Sequence, residues 1–319
     1  MTAAASSSTF YLPYAHPAVR DLAFLLTAPA PWLTGADILP ERLLGDAGPA
    51  LLAELDRDPA ALVAWLAARP TTRLGRYAEN LLAFWFDLAP HIECVAANLQ
   101  VQNGELRTIG EFDFLLRIDG EPWHLETASK FYLMLGEGRH TLVGPSLRDA
   151  WALKAAKLQD QLALSRHAAA QPLLPPGFVG CRTAARLAGW LFYPHAVLLE
   201  PPLAPDLLTG WARPLLAPWP RRSLASRWVW LPRLRWLAPA RVDEAETLDE
   251  DALRRHLAAA EAPQLVAEVL PLGGGDWEEV ARGFVCPPNW PPPARLAELL
   301  DTVQELANGK AASGGAERH

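Results

Sequence analysis

The stretch GEFDFLLRIDGEPWHLETASKFYL, residues 110–133, decides the fold of this chain. Two apolar segments flank the dipeptide Asp119-Gly120, which favours a two-residue hairpin turn. Because side chains alternate between the two faces of a strand, Glu111 and Asp113 are predicted to share one face, opposite Phe112 and Phe114. The stretch therefore predicts two antiparallel strands that carry charged side chains inside otherwise buried segments.

A two-residue turn also fixes the predicted register of this hairpin. It pairs Ile118 with Glu121 and, further along, places Asp113 directly opposite Glu126, with Cβ atoms roughly 4.5–5.5 Å apart. A loop of four residues would shift the two acids to a diagonal on one face, and a loop of three would put them on opposite faces. In the direct register the carboxyl groups repel each other, and a divalent cation between them compensates. Hard oxygen ligands favour Mg²⁺ or Mn²⁺.

Periodicity places the hairpin in a longer series of elements. A helix ends at Pro90, because proline interrupts the helical hydrogen bonds. The elements that follow are a strand over 92–101, a turn at 103–105, strands over 108–118 and 123–133, a helix over 146–166 and a strand over 184–194. In the second helix Ser146 is the predicted N-cap and Asp149 lies in the first turn. The order is helix, three strands, helix, strand.

The chain is predicted to be a mixed α/β (α+β) protein in four parts. An N-terminal helical segment, with helices over 16–33 and 50–69, covers residues 1–72. The other parts are a core over 73–199, a Pro/Trp-rich α+β region over 200–308 and a disordered tail over 309–319. The net charge is −7, and no run approaches eighteen apolar residues, so no membrane span is expected. The first residues lack the pattern of a secretion signal, which favours a cytoplasmic location.

Arginine and tryptophan alternate in the C-terminal region. Between residues 213 and 241 there are seven arginines and no acid, with Trp211, Trp219, Trp228, Trp230 and Trp236 interleaved. Such a segment suits a nucleic-acid backbone and stacked bases, and its candidate binding residues are Arg221, Arg222, Arg227, Arg233 and Arg235. The alternative is a set of strands with tryptophans in the core and arginines in solvent.

Lysine is rare, and its placement is informative. Of four lysines, three fall within a window of 28 residues that begins in the second hairpin strand: Lys130, Lys154 and Lys157. Lys154, Lys157 and Gln161 form one stripe of the predicted helix, which is either part of a site or a solvated face. Glu79, on the first helix, is either a site residue or the partner of Arg76 one turn earlier.

Two resemblances follow from these motifs. RLGRYAENL, GEFDFLL, HLETASKFYL, RDAWALKAAKLQDQL, GWLFYP and RGFVCPPNWP resemble the bacterial family catalogued as domain of unknown function 1853, from about His16 to Pro293. The order of elements resembles the PD-(D/E)XK nuclease superfamily, which implies a nuclease-like core over 73–199 with a mixed sheet flanked by helices. That resemblance implies that Asp113 and Glu126 are the strand-borne metal ligands, that Glu79 completes the site and that Glu111 is a further candidate ligand.

One departure concerns the superfamily's Glu-x-Lys pattern, since Ala128 stands where the lysine is expected. Lys130 lies four residues from Glu126, roughly 13 Å along an extended strand unless a bulge shortens the path. Either Lys154 or Lys157 replaces the missing lysine, or catalysis is lost. The expected function is a metal-dependent nuclease acting on DNA or RNA, with Mg²⁺ or Mn²⁺ as cofactor and Gln161 among the catalytic candidates. The alternatives are an inactive nuclease-like scaffold and a partner site in the C-terminal half.

Overall fold

A computed structural model describes residues 12–102, 107–195 and 201–314. The predicted turn at 103–105, the predicted boundary at 199–200 and the tail residues 315–319 lie outside the described residues. Five helices precede the sheet: α1 (Pro17–Thr27), α2 (Pro40–Leu44), α3 (Gly48–Arg57), α4 (Ala60–Ala67) and α5 (Leu74–Leu88).

Prolines explain where these helices differ from the prediction. The helix predicted over 16–33 ends at Thr27, because Pro29 and Pro31 follow and cannot continue it. The helix predicted over 50–69 is divided into α3 and α4 at Pro59. Helix α5 ends before Pro90 as predicted, with the N–H of Ala89 bonded to the carbonyl of Trp85.

A ten-stranded mixed sheet forms the centre of the molecule. Its strands are β1 (Ile92–Gln102), β2 (Thr108–Ile118), β3 (Glu121–Met134), β4 (Leu142–Val143), β5 (Arg182–Tyr193), β6 (Thr209–Pro214), β7 (Arg227–Leu231), β8 (Arg241–Asp243), β9 (Gln264–Gly273) and β10 (Asp276–Cys286). The main order is β1-β2-β3-β5-β6-β10-β9-β7, with β4 beside β3 and β8 beside β10. Strands β3, β5, β6 and β10 run parallel, and the outer pairs are antiparallel.

The remaining helices are α6 (Trp151–Ala163), α7 (Glu250–Leu257) and α8 (Pro293–Gly314). The predicted order of helix, three strands, helix, strand is confirmed by α5, β1, β2, β3, α6 and β5, with the short β4 added before α6. The predicted N-cap Ser146 is wrong, because α6 begins at Trp151 after Ala150. Helix α8 takes up residues 309–314 of the segment for which disorder is expected.

The sheet is continuous across the two halves of the chain. Strand β6 pairs with β5 on one side and with β10 on the other, so strands from before and after residue 200 form one sheet. One apolar cluster lines one face of this sheet. It includes Phe24 of α1, Trp85 of α5 and Phe284 of β10. Helices α6 and α7 cover the opposite face. Among the described residues, no helix has both the length and the apolar character needed to cross a bilayer.

Candidate functional site

The site lies where β2 and β3 separate. The hairpin turns at Asp119-Gly120 and pairs Ile118 with Glu121, as predicted, and the ladder ends at the pair Phe114–Leu125. Beyond that pair β2 continues only with β1, whereas β3 continues with β5. Asp113 and Glu126 are the first residues past the last pair, so the two strands form a fork with one acid on each arm.

Strand β1, which pairs with β2, has an irregular backbone beside the fork. Phe112 packs in one core cluster with Leu115, and Phe114 packs in the cluster on the other face. The prediction that Phe112 and Phe114 share a face is therefore wrong. Asn98 of β1, which lies between the partners of Phe112 and Phe114, has a φ of 53°. This irregularity breaks the strict alternation of side chains next to Asp113.

The Glu126 carboxyl group is completely buried, with 0 % exposure. Its Oε1 lies 2.8 Å from Nε2 of His124 and accepts the backbone N–H of Asp113 at 3.3 Å. Its Oε2 accepts Nε2 of Gln161 at 2.7 Å. Burial raises the pKa of Glu126 to about 7. Burial also lowers the pKa of His124 to about 4, so this imidazole is neutral near pH 7.

Asp113 is held by a residue that the sequence reading did not single out. Its Oδ2 accepts the backbone N–H of Thr127 at 2.8 Å and the Thr127 hydroxyl at 3.2 Å. Burial raises the pKa of Asp113 to about 6, and the negative charge of Glu126 adds to the shift. The only sequence signal for this role is a hydroxyl side chain directly after Glu126. The two acids therefore adjoin each other in an environment that disfavours their ionised forms.

Helix α6 brings positive charge and an amide to the fork. Nζ of Lys154 donates to Oε1 of Gln161 at 3.3 Å. Burial lowers the pKa of Lys154, and the charge of Lys130 lowers it further, whereas Asp113 and Glu126 oppose the shift. Lys157 is exposed, yet its charge also acts on Glu126. Of the predicted stripe, Lys154 and Gln161 thus reach the fork, whereas Lys157 lies on the exposed side of the helix.

Lys130 has a different partner. Its Nζ is bonded to Oδ2 of Asp149, and the Tyr132 hydroxyl donates to the same oxygen at 3.1 Å. Asp149 was predicted inside the first turn of a helix, but it precedes α6 and is therefore free to bind strand β3. Lys130 lies in an ion pair beside Lys154 and makes no hydrogen bond to Glu126 among the described residues.

Glu79 and Glu111 lie at the rim of the fork. Glu79 forms an ion pair with Arg76 at 2.8 Å, the alternative that the helical spacing left open. Burial raises the pKa of Glu79, the Arg76 charge opposes the shift, and the charges of Asp113 and Glu111 add to it. Within the described ranges, however, no group of three or more acidic, histidine or cysteine side chains is arranged to hold a metal ion.

The arginine-rich segment packs against β3 at one end, where the ring centres of Trp236 and Phe131 lie 5.5 Å apart, but its strand β7 lies farther away. Strand β7 is five strands from β3, which corresponds to roughly 24 Å at the usual strand spacing. Four of its five tryptophans are buried, and only Trp230 is exposed, so most of them pack in the core rather than stack on bases. Four of the candidate arginines use their guanidinium groups within the chain: Arg221 binds Ser223 and Ser226, Arg227 binds Thr247, Arg233 lies over the ring of Trp236, and Arg235 binds Glu246. The backbone N–H of the fifth, Arg222, donates to Glu268.

The fold and the fork define a mixed α/β protein in which acidic, amide and lysine side chains meet where two sheet strands diverge. The chain belongs to the family described as domain of unknown function (DUF1853), whose family model matches residues 20–286. No curated protein and no solved structure matches it. The resemblance to this family is therefore confirmed, whereas membership of the PD-(D/E)XK superfamily stays a prediction.

The raised pKa of Glu126 leads to a prediction about the metal-free protein. A carboxyl group whose pKa rises on folding stabilises the native state fully below its unfolded-state pKa, and this stability is lost as the pH rises through about 7. Glu126→Gln removes the ionised form. Its amide oxygen can accept Nε2 of Gln161 while its amide nitrogen donates to the neutral His124, and the 3.3 Å bond from the backbone N–H of Asp113 is lost. We expect this variant to melt roughly 2–4 °C above the parent at pH 8 and within about 1 °C of it at pH 5.

Differential scanning calorimetry in the presence of a chelator measures both melting temperatures. Glu121→Gln, at the half-exposed start of β3 where Glu121 pairs with Arg182, is the matched control and is expected to show no such pH dependence. If Glu126→Gln changes the melting temperature equally at the two pH values, the assignment of a buried, ionisable carboxyl group is contradicted.

Proposed function

We propose that this protein hydrolyses phosphodiester bonds of DNA or RNA with the aid of a divalent cation, on a PD-(D/E)XK nuclease-like core. The observation that carries the proposal is the fork itself. Asp113 and Glu126 adjoin there on diverging strands, and Lys154 approaches both from helix α6. The arrangement supports a site that binds a cation on one side and an anion on the other.

The donor atoms of the fork fit a hard cation. Carboxylate oxygens are the ligands that Mg²⁺ and Mn²⁺ prefer, and Asp113 and Glu126 supply them. The pKa values of both acids are raised, so both would be stabilised by added positive charge. Beyond these two carboxylates, water and phosphate oxygens would complete the coordination, which is usual for Mg²⁺. Glu79 and Glu111 stay candidates at the rim.

Each side chain then has a distinct role. A bound divalent cation polarises a phosphodiester oxygen and lowers the pKa of its bound water. Thr127 fixes the orientation of Asp113 through two hydrogen bonds. The ammonium group of Lys154 lies where it offsets the negative charge that grows on a phosphate during hydrolysis, and it takes the place of the lysine absent at Ala128.

A second candidate function is binding of nucleic acid without cleavage. The observation that favours it is the complete burial of Glu126, together with the ion pair that engages Lys130. A fold alone does not establish activity. Tight, salt-dependent binding to oligonucleotides with no cleavage in Mg²⁺ or Mn²⁺ would support this candidate, because phosphate contacts give a steep dependence on salt.

The role of Lys154 gives a direct test. Lys154→Met keeps most of the side-chain volume and removes the charge nearest the two acids. We expect the parent to cleave fluorescent single- or double-stranded oligonucleotides in Mg²⁺ or Mn²⁺, and Lys154→Met to lower kcat about 10²-fold. Lys157→Met, on the exposed side of the same helix, is the matched control and should lose less than about tenfold. Equal losses in the two variants would show that Lys154 has no special part in the reaction.

A further inference from the structure

Gln161 lies between the two charged groups of the fork and is bonded to both. Its Oε1 accepts Nζ of Lys154 at 3.3 Å, and its Nε2 donates to Oε2 of Glu126 at 2.7 Å. An ammonium group can only donate hydrogen bonds, so Lys154 fixes which end of the amide faces it. The amide nitrogen must then face Glu126, and one side chain connects the lysine to the carboxylate.

The Gln161 amide also blocks the access of ligands to the Glu126 carboxylate. Glu126 has no exposed surface, and its Oε1 already contacts His124 and the backbone N–H of Asp113. Its other oxygen, Oε2, is covered by Nε2 of Gln161, which is itself only partly buried. Oε2 therefore becomes available to a ligand only when the Gln161 side chain moves away.

Displacement of Gln161 depends on Lys154. The 3.3 Å bond to Oε1 of Gln161 uses one of the three N–H donors of Lys154, and an anion that draws the ammonium group toward itself lengthens or breaks this bond. Loss of that bond frees the amide to rotate away from Glu126. Conversely, a cation that takes Oε2 of Glu126 displaces Nε2 and frees Lys154 for an anion. Both ligands thus displace the same side chain.

We propose that Gln161 is a positioning residue that keeps the Glu126 carboxylate closed until a phosphate group engages Lys154, so that phosphate and divalent cation bind cooperatively. The inference rests on the proposed function, because it takes Glu126 as a cation ligand. Linkage requires the coupling to be reciprocal: each ligand raises the affinity for the other by the same factor.

Calorimetric titration of Mn²⁺ tests the coupling without any cleavage assay. The parent and Gln161→Ala are each titrated alone and with a saturating dinucleotide that carries a phosphorothioate linkage, after subtraction of Mn²⁺ binding to the dinucleotide. We expect the dinucleotide to tighten Mn²⁺ binding to the parent about 5–150-fold. In Gln161→Ala we expect Mn²⁺ alone to bind nearly as tightly as it binds the parent with dinucleotide, and the coupling to fall below about twofold.

Gln159→Ala is the matched control, because Gln159 is on the exposed side of α6 and donates to the carbonyl of Thr34. It should keep the parent's coupling. The same coupling factor in the parent and in Gln161→Ala would overturn the inference and leave a direct metal–phosphate contact as its cause, with the proposed function intact. Absence of Mn²⁺ binding in both proteins, with and without dinucleotide, would overturn the proposed function as well.

Discussion

Asp113→Asn is expected to bind Mn²⁺ at least about a hundredfold more weakly than the parent and to lower phosphodiester cleavage at least about 10³-fold. The substitution replaces a carboxylate with an amide of the same shape at the first position past the β2–β3 ladder. The amide oxygen of the asparagine can still accept the two hydrogen bonds from Thr127, so the local backbone is expected to stay in place. Glu126→Gln is expected to cause a loss of similar size, because its carboxylate is the partner acid on the other arm of the fork.

Asp119→Asn is the matched control for this prediction. Asp119 belongs to the same hairpin, but it lies in the exposed turn at the opposite end of β2 and pairs with Arg42. Asparagine accepts the positive φ of 52° at this position, so neither folding nor cleavage should change. Mn²⁺ calorimetry and an oligonucleotide assay provide the two measurements. Parent-like cleavage by Asp113→Asn and Glu126→Gln would remove both residues from the site.

The hairpin shows how much of the site follows from the sequence. Asp-Gly between two apolar segments predicts the turn, and the turn sets the register up to the pair Phe114–Leu125. Continuation of this register brings Asp113 next to Glu126, although the ladder itself ends one pair earlier. Helical spacing likewise predicts that Lys154, Lys157 and Gln161 share a face of α6.

Other features depend on contacts between distant residues. The irregularity beside Asp113 and the left-handed backbone of Asn98 arise where β1 and β2 continue after β3 has separated, and no local pattern marks that point. The ion pair of Lys130 requires Asp149 to lie outside the helix, whereas its helical propensity is compatible with a first turn. Parallel pairing of β5 with β6 joins segments whose composition differs and which therefore appear separate in the sequence.

The environment of the tryptophan-rich segment likewise depends on contacts between distant residues. Interleaved arginine and tryptophan are compatible with a nucleic-acid surface or with a strand that has one buried face. The choice is made by what covers that face: α7 packs over Trp228, and Trp211, Trp219 and Trp228 contact one another at ring distances of 5.3–6.1 Å. Coverage by a helix is a property of the tertiary structure, so the local pattern leaves both readings open.

Arg282→Met is expected to lower the free energy of unfolding by about 3–5 kcal/mol. Arg282 is 1 % exposed and lies on the face of β10 that carries the main core. Its guanidinium group donates to both oxygens of Glu279 and to the carbonyls of Trp236 and Ala238, and it lies 4.2 Å from the ring centre of Trp190. Removal leaves Glu279 as a buried carboxylate whose remaining partner is the backbone N–H of Ala240.

Two comparison variants test whether the buried charge of Glu279 causes the loss in the free energy of unfolding. Arg235→Met breaks an exposed pair with Glu246 and should cost no more than about 1 kcal/mol. The double variant Arg282→Met/Glu279→Leu removes both charges, so it should recover part of the stability that the single variant loses. Urea unfolding followed by circular dichroism measures the free energy of unfolding of all three variants. A single-variant loss below about 1 kcal/mol would mean that the other contacts of the segment from Trp236 to Ala240 hold it to the sheet, among them its hydrogen bonds with Arg20, Asp21 and Trp190. A loss of the expected size would show that this buried ion pair fastens the C-terminal region to β5, the strand next to the fork-bearing β3.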